Sequence, residues 1–103
     1  METARALVIN QKDNVATALQ DVAEGATIAA RLGQEVEQLA ALERIPFGFK
    51  VALRDIAQGE SVYKYGEVIG KASRPIKRGE LVHIHNVEGN RGRGDLVEPG
   101  GQQ

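Results

Sequence analysis

The sequence predicts a small, mainly β domain with one short helix. A seven-residue pattern recurs four times: an aliphatic residue, two others, Gly, two others and a second aliphatic residue. Apolar and polar residues alternate in the segments that follow most of these copies, which is typical of half-buried strands. The length of 103 residues allows one domain with one modest core.

The four copies are VAEGATI (22–28), IPFGFKV (45–51), IAQGESV (56–62) and IKRGELV (76–82). We expect the first aliphatic residue to anchor the chain in the core and the Gly to adopt a positive φ that other residues reach at a cost. The second aliphatic residue then opens a strand. The glycines are 23, 11 and 20 residues apart, so the pattern is a turn reused within one fold and not a repeat array of fixed period.

The first half of the chain contains the predicted helix. ALVI (6–9) is expected to be a buried first strand. DNVATALQDV (13–22) is predicted to be helical, with Asp13 or Asn14 as its N-cap and Gly25 past its end. Its apolar residues have the i, i+3, i+4, i+7 spacing of one helix face: Val15, Ala18, Leu19 and Val22. QEVEQLAALERI (34–45) suits a helix but leads straight into a turn, so its assignment stays open.

The second half is predicted to be strands and turns, with KVALRDI (50–56), SVYKYG (61–66) and YGEVIGKA (65–72) as strand segments. In LVHIHN (81–86), alternation places Val82 and Ile84 on one face and His83 and His85 on the other. Tyr63 and Tyr65 hold the equivalent places after the third copy. We assign residues 1–88 to the domain and the Gly/Arg-rich residues 89–103 to a flexible tail or docking segment.

Composition excludes several classes of function. A net charge of −1 does not favour binding to nucleic acid. The absence of cysteine excludes disulfides, thiolate metal ligands and a Cys nucleophile. No apolar run approaches the ~18 residues of a membrane span, and the N-terminal segment turns polar too soon for the apolar region expected of a signal peptide. We therefore expect a cytoplasmic protein.

The two histidines, His83 and His85, are candidates for catalysis or metal binding. In a strand they would lie on one face with Cα atoms about 6.5–7 Å apart, and two such imidazoles can share a metal or divide ligand and acid–base roles. The alternative is a solvated polar strand face. The amide of Asn86 is suited to orienting a hydroxyl or carboxylate group, and Lys50, after a turn Gly, is either a carboxylate partner or a surface lysine.

Several segments together resemble the SAF-type domain of the altronate/galactarate dehydratase family: Asp13-Asn14-Val15, IPFGFKVALRDIAQGE, YKYGEVIGKA, GELVHIHN and NRGRGDL. The resemblance covers roughly residues 7–97. It implies a compact β-clip fold that works beside a much larger catalytic part of a hydro-lyase. Because this chain ends soon after RGRGDL, the resemblance suggests a separate small subunit, with a large catalytic dehydratase subunit as its partner.

The chemistry implied by the resemblance is elimination of water, or of sulfite, from a sugar acid or related 2-hydroxy acid. His83 and His85 would then be catalytic residues and ligands of a divalent metal such as iron(II) or manganese(II). Four residues would bind the substrate: Asn86, Lys50, Asp13 and Asn14. The isolated chain is expected to be inactive and is a candidate for self-association through uncovered apolar surface.

One departure and one alternative accompany this hypothesis. The family commonly has Gly-His-Lys where this chain has Gly48-Phe49-Lys50, which bears on the identity of the substrate and on activity. SAF-type domains also occur in sialic acid synthases, antifreeze proteins and pilus or flagellar assembly factors. A non-catalytic binding or assembly module is therefore the alternative function, because a fold alone does not decide the chemistry.

Overall fold

The computed structural model describes residues 3–89 and contains, within that range, strands and turns but no helix. The strands are β1 (Ala4–Leu7), β2 (Val15–Ala18), β3 (Thr27–Leu32), β4 (Glu35–Ala40), β5 (Lys50–Ala52), β6 (Ser61–Lys64), β7 (Glu67–Ala72), β8 (Leu81–Val82) and β9 (Val87–Glu88). They form a six-stranded sheet of order β4-β3-β1-β2-β5-β8 and a three-stranded sheet of order β6-β7-β9. The predicted mainly β class is confirmed.

The four copies of the repeated pattern form the same turn. Their glycines all have positive φ, between 85° and 94°. In each copy the N–H after the Gly donates to a carbonyl three residues earlier, at 2.9–3.0 Å: Ala26 to Ala23, Phe49 to Pro46, Glu60 to Ala57 and Glu80 to Lys77. This is the geometry of a type II turn with Gly at its third position. The predicted role of these glycines is confirmed.

The turns associate as two reciprocal pairs. Val22 and Ile45, the first aliphatic residues of the first two copies, exchange two backbone hydrogen bonds of 2.8 and 2.9 Å. Ile56 and Ile76 do the same for the last two copies, at 2.7 and 2.8 Å. Each turn glycine also donates its N–H to a carbonyl in the last residue of a strand, or just after it, that precedes the other member of the pair. Each turn is therefore held by its counterpart.

Each pair of turns has its own core. The eight aliphatic residues of the pattern are at most 2% exposed. Those of the first two copies pack with small side chains of β1, β2 and β3, and those of the last two copies pack with Val15, Ala52 and Ala72. Strand β5 joins the two cores, because Val51 belongs to the first and Ala52 to the second.

The predicted helix over residues 13–22 is wrong. Residues Val15–Ala18 form β2, which pairs antiparallel with β1 on one side and β5 on the other. Val15, Ala16 and Ala18 are all buried because this strand lies between two others and contributes to both cores. Leu19 and Val22, the other apolar residues of the predicted helix face, lie after β2, and Leu19 is 39% exposed. Asp13 and Asn14 cap no helix.

Two further segments differ from expectation or settle an open assignment. Residues 34–45 contain β4, which pairs only with β3 and forms an edge of the six-stranded sheet. The first strand was expected to be buried over residues 6–9, but burial alternates: Ala6 and Val8 face the core while Leu7 and Ile9 are exposed.

Residues 3–89 include no helix long and apolar enough to cross a membrane. Apart from Gly89, the predicted tail lies outside the described residues.

Candidate functional site

The segment that carries both histidines is a turn, not a continuous strand. Strand β8 ends at Val82, and residues 83–86 turn the chain into β9. The predicted pairing of Val82 and Ile84 on one buried face is therefore wrong, because Val82 is fully buried while Ile84 is 83% exposed. His83 is half-buried and His85 is exposed. The two imidazoles differ in environment and do not share a flat strand face.

Asn86 closes this turn from inside. Its side chain is 3% exposed, its Oδ1 accepts from the backbone N–H of His83 at 2.9 Å, and its Nδ2 donates to the carbonyl of Leu81 at 2.8 Å. Its own N–H donates to the carbonyl of His83 at 3.1 Å. Both ends of the amide are therefore used to fix the backbone on either side of Val82, which positions His83.

The imidazole of His83 packs against the ring of Phe49. The rings of Phe49 and His83 have centroids 4.7 Å apart and planes inclined by 51°. Strand pairing causes the contact, since Lys50 on β5 is in register with Val82 on β8. One side of the imidazole is thereby covered by an apolar ring.

Lys50 and His83 line one cavity of about 230 Å³. The other lining residues are mostly apolar: Ile69, Ile84, Val87 and Gly89. Among the described residues the lining contains an ammonium group and an imidazole but no carboxylate, so it suits an anionic group. The structure thus brings together two of the six predicted site residues, with the turn of His85 and Asn86 beside them.

Burial of the half-buried Lys50 is the main cause that lowers the pKa of its ammonium below the ordinary value of 10.5. The positive charge of Lys64 on β6 lowers it further. The Lys64 ammonium itself lies 4.8 Å from the centre of the Tyr65 ring. Among residues 3–89 neither lysine forms an ion pair with a carboxylate. An anion in the cavity would relieve this repulsion.

Asp13 lies elsewhere and is occupied by backbone groups. Its carboxylate is buried and accepts from the N–H of Gly66 at 2.7 Å and of Asn10 at 3.1 Å. It lines a different, larger cavity of about 530 Å³ together with Arg54. These bonds tie the segment before β2 to the hairpin between β6 and β7.

Asn14 also acts within the fold. Its Nδ2 donates to the carbonyl of Ser61 at 3.0 Å, and its Oδ1 accepts from the N–H of Tyr63 at 2.8 Å. The side-chain amide therefore makes the two backbone hydrogen bonds to β6 that a paired strand would make, and so joins the start of β2 to β6. It does not line the cavity of Lys50 and His83.

The side chains of residues 3–89 do not by themselves form a metal centre. No three His, Asp or Glu side chains in that range lie close enough together to hold one ion. His85 is exposed, and the guanidinium of Arg74 donates to its backbone carbonyl at 2.9 Å. A metal held by His83 and His85 would need further donors from outside residues 3–89.

Comparison with known proteins identifies the family. Residues 4–90 match the family model described as the altronate/galactarate dehydratase SAF domain. The chain belongs to this family. An altronate dehydratase of Bacillus subtilis is 39% identical over 82 residues, which are 80% of this chain and 16% of that enzyme. A (2R)-sulfolactate sulfo-lyase subunit alpha of Chromohalobacter salexigens is 44% identical over 54 residues, 52% of this chain and 57% of that subunit.

A galactarate dehydratase (L-threo-forming) of Escherichia coli is 39% identical over 80 residues, which are 78% of this chain and 14% of that enzyme. The SAF domain therefore spans about one sixth of the dehydratases that it matches and just over half of the sulfo-lyase subunit. The mainly β structure agrees with the family, and the relatives are all lyases by name.

Sequence reasoning missed two parts of this site. Lys64 was not among the predicted site residues, yet its positive charge lowers the pKa of Lys50. The contact of Phe49 with His83 depends on the pairing of β5 with β8, which no local pattern encodes. Phe49 directly precedes Lys50, and His83 directly follows Val82. Lys50 and Val82 are aligned in the sheet, but this alignment cannot be read from the sequence.

Proposed function

We propose that this SAF domain acts in a hydro-lyase that eliminates water, or sulfite, from a sugar acid or related 2-hydroxy acid. It contributes Lys50 and His83 to a site completed by a larger catalytic part. The observation that carries the proposal is one cavity whose described lining includes the Lys50 ammonium and the His83 imidazole but no carboxylate. The family match and the names of the relatives support the reaction class.

The reaction asks for charges that this cavity can supply. Elimination removes a proton from the carbon beside the carboxylate and expels a group from the neighbouring carbon. A cation is needed for the negative charge that develops on the carboxylate, and an acid or base is needed for the proton. In the proposal the Lys50 ammonium holds the substrate carboxylate and the His83 imidazole exchanges a proton. Asn86 acts indirectly by positioning His83.

The larger part completes the site. The cavity of this domain is small and its mouth carries Ile84, which is 83% exposed. Two of the matched relatives are named as subunit alpha of a sulfo-lyase, which supports a small subunit working with a separate chain. The dehydratases, in which the matched region is about one sixth of the enzyme, support the same arrangement within one chain. Donors from the larger part would also complete any metal site that includes His83 or His85.

The test is reconstitution. The domain is co-produced with a large dehydratase chain that lacks a SAF domain of its own, and aldonates, aldarates and sulfolactate are screened for elimination. We expect activity only from the pair, a raised KM for Lys50→Gln, and a lowered kcat for His83→Gln. The control is Lys71→Gln, which changes an exposed lysine on β7 outside the cavity. Elimination by the domain alone would refute the shared site. Full activity of the two chains together when the domain carries the double variant Lys50→Gln/His83→Gln would also refute it.

The second candidate function is a non-catalytic binding module. Phe49 in place of the family's usual His favours it, as does the structural use of Asp13, Asn14 and Asn86. In that case the domain binds the larger chain, but His83→Gln leaves kcat unchanged. The reconstitution above therefore separates the two functions.

A further inference from the structure

A groove lies on the outer face of the six-stranded sheet, toward the end opposite Lys50 and His83. We call it the outer groove; its volume is about 330 Å³. It is formed by β1, β3, β4 and the residue after β2, whereas the candidate site belongs to β5 and β8. Its apolar floor and charged rim consist of Leu7, Leu19, Ala29, Val36, Arg5 and Arg31.

Strand register sets one row of side chains in the outer groove. Leu7 is opposite Arg31, which in turn is opposite Val36, so Arg31 lies between two apolar residues. These residues face away from the core, since Ala4 and Ala6 on the same strand as Leu7 are buried. Leu7, Leu19 and Val36 are exposed by 38%, 39% and 48%. Apolar side chains clustered in one concave surface indicate a binding surface more strongly than scattered ones do.

Two cations, Arg5 and Arg31, lie among these apolar side chains. Within residues 3–89 the guanidinium groups of Arg5 and Arg31 form neither a hydrogen bond nor an ion pair. Other arginines of the domain are used differently: Arg78 donates to Glu37 and to the carbonyl of Leu53, and Arg44 pairs with Asp21. No Asp or Glu lines the groove. Its charge is therefore uncompensated beside exposed apolar surface.

We propose that the outer groove binds a protein segment whose apolar side chains are flanked by carboxylates. The apolar side chains would cover Leu7, Leu19 and Val36, and the carboxylates would accept the paired N–H groups of Arg5 and Arg31. Arginine beside an apolar centre is the composition that protein interfaces favour. The proposal is independent of the proposed function, because the groove shares no residue with the cavity of Lys50 and His83.

Charge argues against two other occupants. A second copy docked by two-fold symmetry would place Arg5 and Arg31 against the same residues of its partner, and like charges in contact disfavour such a pair. A nucleic acid in this groove would contact only two arginines beside apolar side chains, and the net charge of the chain is −1. Phosphate binding favours a wider basic surface than this.

The experiment is an amide NMR titration with synthetic peptides. The probe is Ac-Ser-Asp-Leu-Leu-Asp-Ser-amide, and two control peptides replace its Asp by Lys or its Leu by Ser. We expect saturable shifts at Leu7, Arg31 and Val36 with the probe and at least about tenfold weaker binding of each control peptide. Arg5→Gln/Arg31→Gln should weaken binding of the probe, and Arg5→Glu/Arg31→Glu should reverse the preference toward the Lys peptide.

The matched control is Arg44→Glu, which alters an exposed arginine outside the groove and should leave probe binding unchanged. Each variant must give a dispersed amide spectrum, which would show that it is folded. Equal binding of all three peptides, shifts outside the groove, or no binding of the probe would overturn the proposal. Groove shifts on dilution of the protein alone, or on removal of residues 90–103, would assign the groove to a second copy or to the chain itself and would also overturn it.

Discussion

Phe49 covers one side of the His83 imidazole, with ring centroids 4.7 Å apart. The resemblance noted in the sequence implies a His at the place of Phe49, which would set a second imidazole beside the first. In this chain the neighbour of His83 offers no nitrogen. The contact therefore makes the one departure from the family pattern a change inside the candidate site.

Phe49→His should create a metal-binding pair. Two imidazoles this close can direct nitrogens at one ion, whereas Phe49 contributes none. We expect Phe49→His to bind nickel(II) at least about tenfold more tightly than wild type, as measured by calorimetry. Phe49→His/His83→Gln is the control and should lose the gain. A gain that survives in the double variant would show that His83 takes no part.

Lys64→Gln should raise the pKa of Lys50 part of the way toward its ordinary value. The pKa of Lys50 is lowered first by burial and second by the charge of Lys64, and the variant removes only the second cause. NMR of the labelled ε-amino group against pH measures this change. Lys71→Gln serves as the control because Lys71 is not among the causes of the shift. An unchanged pKa of Lys50 in Lys64→Gln would contradict the proximity of the two charges.

Lys50 should also make stability depend on alkaline pH. Its folded-state pKa lies below the ordinary 10.5 of an unfolded chain, so between the two values the unfolded state binds more protons. The free energy of unfolding of wild type should therefore rise with pH in that window relative to Lys50→Gln. Urea unfolding of both proteins at several pH values up to the ordinary value tests this. A difference that is constant with pH would mean that the pKa of Lys50 is not lowered.

Asn86→Ala should destabilise the domain by about 2 to 3 kcal/mol, because it leaves the buried N–H of His83 and carbonyl of Leu81 without their partners. Urea unfolding measures the loss. Asn10→Ala is the comparison, since Asn10 accepts one exposed backbone bond from Lys12 and should cost well under half as much. Equal costs for the two variants would remove Asn86 from its role in holding the turn.

Gly59→Ala should cost about 1 to 2 kcal/mol through backbone conformation alone. The φ of Gly59 is 88°, and a Cβ there would meet nothing within 4 Å, so no collision contributes. Gly89→Ala is the matched control: it also meets open space, but its φ is not in the positive range. Thermal unfolding of both variants should separate them, and a harmless Gly59→Ala would contradict the turn assignment.

The turns were predictable because their information is local. A Gly at a fixed offset from two aliphatic residues specifies both the positive φ and the burial on either side, and all four copies behave alike. The assignment of β2 failed because Val15 to Val22 has apolar residues at helical spacing, while the pairing with β1 and β5 that decides the matter comes from distant segments. Local periodicity is weaker than such tertiary pairing.

The candidate site was predictable in part. Lys50 and His83 were selected by residue type and do meet at one cavity. Alternation failed for Ile84 and His85 because the buried amide of Asn86 bends the chain after Val82. Asp13 and Asn14 were chosen as polar residues in a matching motif, and their hydrogen bonds to Gly66 and Tyr63 depend on contacts about fifty residues away along the chain.

The pairing of turns gives the candidate site an unusual location. Lys50 follows a turn of the first pair and His83 follows a turn of the second, so the cavity lies where the two pairs of turns meet. A ligand that contacts both residues bridges the two pairs. Its binding energy then adds to their cohesion, so occupancy should make the domain unfold more cooperatively as well as later.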